Sequence, residues 1–479
     1  MSDDRWRSPL GSRYASPAMQ TLWGEPHRIG LWRRLWLALA ETERELGLEI
    51  PEQAIAQMRA HLDDADLATA ARYERRFRHD VMAHIHAFGD QAPAARPYLH
   101  LGATSAFVTD NADLVIMRDG LRLLLGRLVA VLGALETFAA RYAGLPCLAY
   151  THFQPAQLTT VGKRTALWMQ DFALDVEEVC HRIETMRFRG CKGTTGTQAS
   201  FLQLFGGDQE KVRELDRRVA TKLGFKEAFP VTGQTYTRKL DSGVLDTLSG
   251  IAQSAAKLAG DLRLLQHEGE LLEPFESEQV GSSAMAYKRN PMRAERISGL
   301  ARFVISLPAN TAQTAASQWL ERTLDDSANR RLTLPEGFLA TDAILVLATN
   351  IAAGIEVRED VIRRHVADQM PFMATERWLL LGVAAGGDRQ ALHEVIRRHS
   401  LAVAEAVSRG EANDLLGRLA NDPAFRGVST AALQAELEPA NYTGRAAQQV
   451  SEFIEEYLRP LLRRARPLAA EAEAAEVVV

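Results

Sequence analysis

The chain has 479 residues and a formal net charge of −5, and 46% of its residues are hydrophobic while 24% are charged. This composition is typical of a globular protein with a sizeable core, and the length allows roughly two to four domains. The small negative net charge excludes a global basic field, so nucleic acid is not an expected partner. Any anion site must therefore be a local cluster of arginine and lysine.

Three cysteines, Cys147, Cys180 and Cys191, occur without a CxxC pair. This usage favours a reducing compartment over a disulfide framework or a zinc ribbon. The N-terminal stretch MSDDRWRSPLGSRY is polar and contains acids, which is not typical of a signal peptide. The longest apolar stretch is interrupted by charged residues, which predicts an amphipathic helix and no membrane partner. We therefore expect a cytoplasmic protein.

The first 105 residues contain short helical patterns, among them Leu31–Leu46, and many prolines and histidines. A strong helical period follows them. Its apolar residues recur at alternating steps of three and four, which predicts one helix of about eight turns with a coiled-coil seam. This seam consists of Leu114, Met117, Leu121, Leu124, Leu128, Val131, Leu135, Phe138 and Tyr142.

Three further helices are predicted from similar patterns. A weaker seam runs from Met169 to Met186, and a stronger one runs from Val244 to Leu272 with Gly269 in place of one apolar residue. Residues 336–355 are apolar on nearly every side, which predicts a buried helix. Alternating β-branched stretches are scarce, so we expect strands to be minor.

These long helices predict an all-α protein built around a helical bundle. We expect three helical domains: residues 1–105, a central long-helix bundle at 106–357, and residues 358–479. The final stretch AAEAEAAEVVV lacks a packing pattern and is expected to fray. Long apolar seams are often shared between subunits, so a homo-oligomer is favoured over an extended bundle within one chain.

The histidines do not form a convincing metal site. On one helix His84 and His86 point about 200° apart, so together with His79 they cannot ligate a single ion. The stretch HEVIRRH lacks the spacing of the helical HExxH zinc motif. We therefore predict no metal and no cofactor.

Arginines stand beside hydroxyl-bearing or charged residues in the segments SRY, RHD, RAER and ERTLDDSANRR. Each segment alone is typical of a solvated or salt-bridged surface. Together they suit a polyanionic ligand bound by distant parts of the chain, because arginine binds carboxylate and phosphate through two parallel hydrogen bonds. The glycine-rich loop GCKGTTGTQ at 190–198 is a weaker anion-site candidate, since a turn after a helix explains most of its residues.

The segment THFQPAQ at 151–157 places His152 in a stretch that we expect to be irregular, after a helix has ended. A lone histidine is more often structural. In an irregular polar segment it is a better candidate for a general acid, because imidazole titrates near neutral pH.

The stretch GSSAMAYKRNP, from Gly281 to Pro291, has no helical or strand period. Asn290 followed by Pro291 predicts the start of a helix, with the asparagine as its cap. An ordinary crossover loop is one interpretation. The small residues, two hydroxyls and Lys288 favour a lid that closes over an anion.

This loop resembles the signature loop of the fumarase/aspartase superfamily, whose pattern is GSSxMPxKxNP. Other segments look like one family within it, the adenylosuccinate lyases. They are SRYASPAM, RHDVMAHIHAF, HLGATS, THFQPAQLTT, FRGCKGTTGTQASF, VTGQTYTRKLD, QWLERTLDDSANRR and PFMATERWLL. The resemblance covers the chain from Arg7 to Pro460. Ala286 stands where the signature has proline, and we expect this to alter loop stiffness and not the chemistry.

The resemblance implies a tetramer in which the central bundles form a twenty-helix core and each active site is built from three subunits. It also implies two reactions. Adenylosuccinate would give AMP and fumarate, and SAICAR, the succinylated aminoimidazole carboxamide ribotide, would give AICAR and fumarate. The expected partners are therefore these nucleotides and further copies of the chain.

By the same resemblance Ser282 is the general base and His152 the general acid. A serine hydroxyl is a weak base, and we expect Lys288 and the loop amides to activate it and to stabilise the carboxylate. Positions near the succinyl group are matched by Thr104, Ser105, Gln234 and Lys288. Positions that contact the nucleotide and its phosphate are matched by Arg13, Tyr14, Arg78, His79, Asp80, Arg296, Arg322, Ser327 and Arg331. His100 and Glu295 match supporting polar positions.

Two alternatives remain open. Argininosuccinate lyase and fumarase share the signature loop, although the arginines and serine at 322–331 suit phosphate and argue against both. A non-catalytic helical scaffold would explain the seams, but it would leave Ser282, Lys288 and His152 without a role.

Overall fold

The structure is a computed structural model that describes residues 6–470. Most of the tail that we expect to fray lies outside the described residues, as do residues 1–5. Within the described range helices dominate, and the strands form two small antiparallel pairs. The expected mostly helical architecture is therefore confirmed.

Short helices surround one longer helix in the N-terminal region. A π-helical turn, Leu10–Tyr14, precedes α1 (Pro17–Trp23), α2 (Glu25–Glu45), α3 (Glu52–Ala60), α4 (Leu67–Phe77), α5 (Asp80–Gln91) and a 3₁₀ turn, Pro93–Ala95. Ser16 starts α1 by accepting a hydrogen bond from the Met19 backbone N–H. The predicted helix at Leu31–Leu46 corresponds to α2, which begins earlier because Pro26 fits its first turn.

The central region contains the longest helices. Its elements are α6 (Ser105–Arg141), β1 (Pro146–Thr151), β2 (Gln154–Thr160), α7 (Val161–Thr185), α8 (Ala199–Leu204), α9 (Gln209–Lys222), α10 (Lys239–His267), β3 (Leu271–Leu272), α11 (Met292–Ala316), α12 (Asp325–Gly354) and β4 (Glu356–Val357). Helices α6, α7, α10, α11 and α12 form one bundle. In it α10 packs on α7, α11 and α12, and α6 packs on α7 and α12.

The predicted seams form the core of this bundle. Leu121 and Leu128 of α6 and Leu248 of α10 are completely buried. The expectation that the α10 seam continues to Leu272 is wrong, because α10 ends at His267 and Leu272 lies in β3. Gly269 follows the helix with φ +73°, a left-handed conformation that glycine adopts freely and that ends the helix.

Helices α6 and α12 are long and apolar enough, by composition alone, to cross a membrane. The structure buries 56% and 72% of their most apolar stretches inside the protein. Core packing therefore accounts for their composition. Residues 336–355 are buried as expected, and α12 extends back to Asp325, so the arginine-rich segment forms its first turns.

The C-terminal region again consists of shorter helices. They are α13 (Glu359–Met373), α14 (Thr375–Ala384), α15 (Arg389–Ser408), α16 (Leu415–Ala420), α17 (Thr430–Ala435), α18 (Ala446–Glu452) and α19 (Arg459–Ala465), with 3₁₀ turns at Pro423–Phe425 and Pro439–Tyr442 and a π-helical turn at Phe453–Leu458. Residues 374–433 have a core of their own around Trp378 and Phe425. Helices α18 and α19 pack instead on α6 and α7. The division into domains at residues 105 and 357 stays a prediction.

Candidate active site

Nine of the predicted site residues line one cavity of about 970 Å³. They are Arg78, His79, Asp80, Thr104, Ser105, Gln234, Arg322, Ser327 and Arg331. Arg78 and His79 lie between α4 and α5, and Asp80 begins α5. Thr104 and Ser105 lie at the start of α6, Gln234 precedes α10, and the last three lie around the start of α12. The N-termini of α5, α6 and α12 therefore converge on this cavity, and helix N-termini favour anions.

The turn between α4 and α5 orients His79. Arg78 ends α4 in the left-handed conformation, with φ +55°, and His79 caps α5. His79 Nδ1 accepts a hydrogen bond from the Met82 backbone N–H at 3.2 Å. In the neutral imidazole the proton is then on Nε2, which lies 3.5 Å from the Ser105 hydroxyl. The cap thus fixes the tautomer and leaves an N–H donor beside the first residue of α6.

Asp80 and Arg331 join two sides of the cavity. Their carboxylate and guanidinium groups are 3.2 Å apart, and the Arg331 side chain is 61% exposed. The Asp80 carboxylate also accepts a hydrogen bond from the Val81 backbone N–H at 2.8 Å. Such an exposed ion pair contributes little to stability, so Arg331 can exchange its partner for an incoming anion at small cost.

Arg13, Tyr14 and Arg296 form a second group, which does not line this cavity. The Arg296 guanidinium lies 5.2 Å from the centre of the Tyr14 ring, within the range of a cation–π interaction. Burial lowers the pKa of Arg296, and Arg13 lowers it further while Tyr14 raises it. The turn before α1 and the start of α11 thus bring three predicted nucleotide-binding residues together.

The two ends of the signature loop, Gly281 and residues 288–290, lie against each other and form a neck that closes the loop. Asn290 Nδ2 donates a hydrogen bond to the Gly281 carbonyl oxygen at 2.7 Å. A Cβ at Gly281 would stand closer than 3.0 Å to the Lys288 carbonyl oxygen, so only glycine fits there without a shift. The expectation that Asn290 caps the next helix is wrong, because its side chain is used in the neck and α11 begins at Met292.

Inside the loop the Ser282 hydroxyl oxygen accepts two backbone hydrogen bonds, from the N–H groups of Ala284 at 3.4 Å and Met285 at 3.1 Å. The Lys288 side chain is exposed. It lines a second hollow of about 760 Å³ together with Asn290 and Glu295. Neither Ser282 nor Lys288 lines the larger cavity of the same chain.

His152 lies at the tip of a β-hairpin and not in an irregular segment as the sequence suggested. Strands β1 and β2 pair antiparallel, and Thr151 lies opposite Gln154. His152 and Phe153 make the turn with φ +51° and +58°. Two left-handed residues in succession are typical of a tight hairpin turn. The turn holds the imidazole out from the protein, exposed and away from the lining of the larger cavity.

Two weaker candidates have structural partners. Burial lowers the pKa of His100 to about 4, and its Nδ1 accepts a hydrogen bond from Trp36 Nε1 at 2.9 Å, so it packs α2 against the start of the bundle. In the loop at 190–198 the Lys192 ammonium is buried and paired with Asp216. This lysine is therefore not free to bind an anion, while Thr194, Thr195 and Thr197 remain exposed.

Comparison with known proteins identifies the family of this chain. A family model described as Lyase matches residues 35–306, and one described as Adenylosuccinate lyase C-terminus matches residues 371–453. Adenylosuccinate lyase from Saccharomyces cerevisiae is 49% identical over 94% of each chain. The chain belongs to the adenylosuccinate lyase family. The corresponding protein of Schizosaccharomyces pombe is 48% identical, again over 94% of each chain.

A solved structure with lower sequence identity has the same fold. The crystal structure of 3-carboxy-cis,cis-muconate lactonizing enzyme from Pseudomonas putida has a TM-score of 0.81 at 24% identity, and covers 96% of this chain and 99% of that one. Membership of the adenylosuccinate lyase family thus confirms the family prediction and the prediction of a lyase. It removes the scaffold interpretation and the neighbouring lyase families from consideration.

Four charged residues at the base of the cavity were not among the residues predicted from the sequence. Asp110, Arg238, Asp326 and Arg330 line the cavity and are buried. Burial alone would raise the pKa of Asp110, but Arg238 and Arg330 hold it below its ordinary value. The signal was present: Asp326 and Arg330 are one helical turn apart in ERTLDDSANRR, and Arg238 lies in VTGQTYTRKLD.

No group of three or more histidine, cysteine, aspartate or glutamate side chains with the geometry of a metal site occurs among residues 6–470. The cavity lining combines carboxylates with six arginines, and several of the carboxylates are paired with these arginines. Its chemistry suits the binding of an anion by the protein itself.

Proposed function

We propose that the protein eliminates fumarate from adenylosuccinate, giving AMP, and from SAICAR, giving AICAR. The observation that carries the proposal is the cavity in which nine family-matching residues meet, eight of them around the N-termini of three helices. A substrate with one phosphate and two carboxylates is a polyanion of the kind that such a cavity attracts.

The phosphate is proposed to bind at the start of α12. Arg322, Ser327 and Arg331 lie together there, and the positive end of the helix dipole adds to the charge of the arginines. Thr104, Ser105 and Gln234 would then hold the succinyl end. The remaining nucleotide contacts come from Arg78, His79 and Asp80, with Arg13, Tyr14 and Arg296 as the second group.

Ser282 is proposed to remove the C–H proton next to a carboxylate, and His152 to protonate the departing nitrogen. A serine hydroxyl is a weak base unless its conjugate alkoxide is stabilised. The two loop amides that already donate to Ser282 Oγ would stabilise that alkoxide. Lys288 would stabilise the extra negative charge that develops on the carboxylate. Together these groups would use only protein side chains and amides, so we propose that no cofactor is needed.

We propose a homotetramer in which the five bundle helices of each chain form a twenty-helix core and each site combines three subunits. Ser282, Lys288 and His152 lie outside the cavity of their own chain, so neighbouring chains would supply them. Large apolar side chains beside them support an interface: Phe153 is 63% exposed and Tyr287 86% exposed. A cytoplasmic location, with neither membrane nor nucleic acid as partner, is part of the proposal.

Conversion of adenylosuccinate to AMP, followed by the change in ultraviolet absorbance, tests the activity directly. Shared sites are tested by mixing His152→Ala and Ser282→Ala proteins under conditions of subunit exchange. Activity should reappear, because some sites would then contain neither substitution. Failure to recover activity despite demonstrated exchange would contradict a site built from several chains.

A further inference from the structure

Seven buried or nearly buried polar residues form one charge network under the cavity. The members of this network are Asp110, Asp113, Tyr236, Arg238, Asp241, Asp326 and Arg330. Arg238 is its centre, at 2% exposure. Its terminal nitrogens donate to both carboxylate oxygens of Asp110 at 3.1 and 3.2 Å, and its Nε donates to Asp326 Oδ2 at 2.7 Å. One guanidinium thus joins α6 to α12.

A second arginine holds the same helix one turn later. Arg330 Nε donates to Asp241 at 2.7 Å, and its terminal nitrogens contact Asp113 at 2.9 Å and the Tyr236 hydroxyl at 2.5 Å. The first turns of α12 are therefore fastened to the starts of α6 and α10 through fully paired arginines. These are the segments that carry the predicted substrate contacts.

We infer that Arg238 is a positioning residue for phosphate binding: by bridging Asp110 and Asp326 it sets the rotation of the first turns of α12. The inference rests on the proposed function, which places the phosphate beside Ser327 and Arg331. On α12, residues 326 and 330 form one row, and residues 327 and 331 form the next row about 100° around the helix. Fixing the buried row therefore fixes the direction of the row that faces the ligand.

The positions of the ligand-facing side chains are sensitive to a small rotation of α12. Side chains extend roughly 5–6 Å from a helix axis, so a rotation of about 10° displaces a bound guanidinium or hydroxyl by roughly 1 Å. Polar groups that bind phosphate in a fixed geometry tolerate about half of that. A small loosening of the buried row would therefore be measured as weaker phosphate binding without unfolding of the helix.

Charge balance points to the same residue. Asp326 is 1% exposed and has one carboxylate oxygen without a hydrogen-bond partner, next to the site proposed for an anion. An unpaired carboxylate there would repel phosphate, and Arg238 neutralises it. The pairing therefore both holds α12 and keeps a buried negative charge from opposing the ligand.

Arg238→Lys tests the inference because it conserves charge but removes the planar fork, so one ammonium cannot hold both aspartates in the same geometry. The dissociation constants of AMP and of adenosine, which lacks the phosphate, are measured by calorimetry. We expect the constant for AMP to rise about tenfold and that for adenosine to change less than about twofold. Thermal unfolding of each protein reports on the fold.

Arg118→Lys is the matched control. Arg118 is also a buried arginine and lies in α6, where it donates hydrogen bonds to Asp119 and to the Leu223 carbonyl oxygen, outside the cavity lining. It should lower stability while keeping the ratio of the two constants. If Arg238→Lys does not fold, Asp326→Asn separates the explanations. If Asp326 positions α12 through Arg238, Asp326→Asn weakens AMP binding. If Asp326 only adds a negative charge near the phosphate, Asp326→Asn strengthens AMP binding and contradicts the inference.

Equal losses for AMP and adenosine, or an unchanged ratio, would overturn the inference. The proposed function fails in a different way: the unsubstituted protein would then show no preference for AMP over adenosine and no conversion of adenylosuccinate. If the unsubstituted protein shows both and Arg238→Lys keeps the ratio, only the positioning role is wrong.

Discussion

Replacement of Gly281 by alanine should disable the signature loop while leaving the rest of the protein folded. The new Cβ would collide with the Lys288 carbonyl oxygen and approach the Phe275 ring. An ordinary carbon–oxygen contact is about 3.3 Å, so the two sides of the neck must separate by about 1 Å. Ser282 follows Gly281 directly and must move with it. A misplacement of about 1 Å costs on the order of 10²-fold in rate.

Gly281 is buried and the colliding atom belongs to the backbone, so the same substitution should lower the free energy of unfolding by about 1–3 kcal/mol. The strain should fall mainly on the loop, because residues 283–289 are exposed and contribute little to the core. The assay is the steady-state rate of adenylosuccinate cleavage, with thermal unfolding measured in parallel. Gly417→Ala is the matched control, since Gly417 lies in α16 and its added Cβ meets no atom within 4 Å. It should keep full activity and gain up to roughly 1 kcal/mol of stability from helix propensity.

A Gly281→Ala protein with a kcat/KM within about twofold of the unsubstituted protein would refute the reasoning. It would mean that the neck does not position Ser282. A large loss of stability together with the loss of activity would instead show that the neck supports the fold as a whole.

Three further predictions concern other parts of the molecule. Arg331→Ala should weaken AMP binding by roughly 1.5–3 kcal/mol and adenosine binding much less, as measured by calorimetry; equal losses would assign Arg331 another role. Ser282→Ala should abolish turnover and keep adenylosuccinate binding, and saturating ligand should protect the loop from protease; a near-normal kcat would direct the search for the base to His79. Glu43 is buried with both carboxylate oxygens unpaired, and burial raises its pKa to about 9. Because the unfolded chain releases this proton above its ordinary pKa of 4.5, stability should fall as pH rises from about 4.5 to 9. Glu43→Gln should therefore raise the unfolding free energy by about 1–3 kcal/mol at pH 8 and change it little at pH 4, as denaturant titration would show.

The sequence by itself determined the long helices and the class of ligand. Leucines at heptad spacing have one low-energy arrangement, a helix with a buried stripe, so α6 and α10 were predictable over most of their length. The arginine segments predicted an anion site for a similarly local reason, since a guanidinium fork matches phosphate and carboxylate wherever it is placed. The resemblance then supplied the family and a role for each residue.

Only the tertiary structure decided which of these residues meet. Nine of them converge because three helix N-termini end at one cavity, and that convergence depends on packing between helices far apart in sequence. The same holds for local details: Asn290 closes the loop neck instead of capping a helix, because a carbonyl oxygen across the loop is within reach of its side chain. Arg238 was overlooked for the same reason. Its partners lie 128 and 88 residues away, and no spacing along the chain reveals a contact that forms only when α6, α10 and α12 pack together.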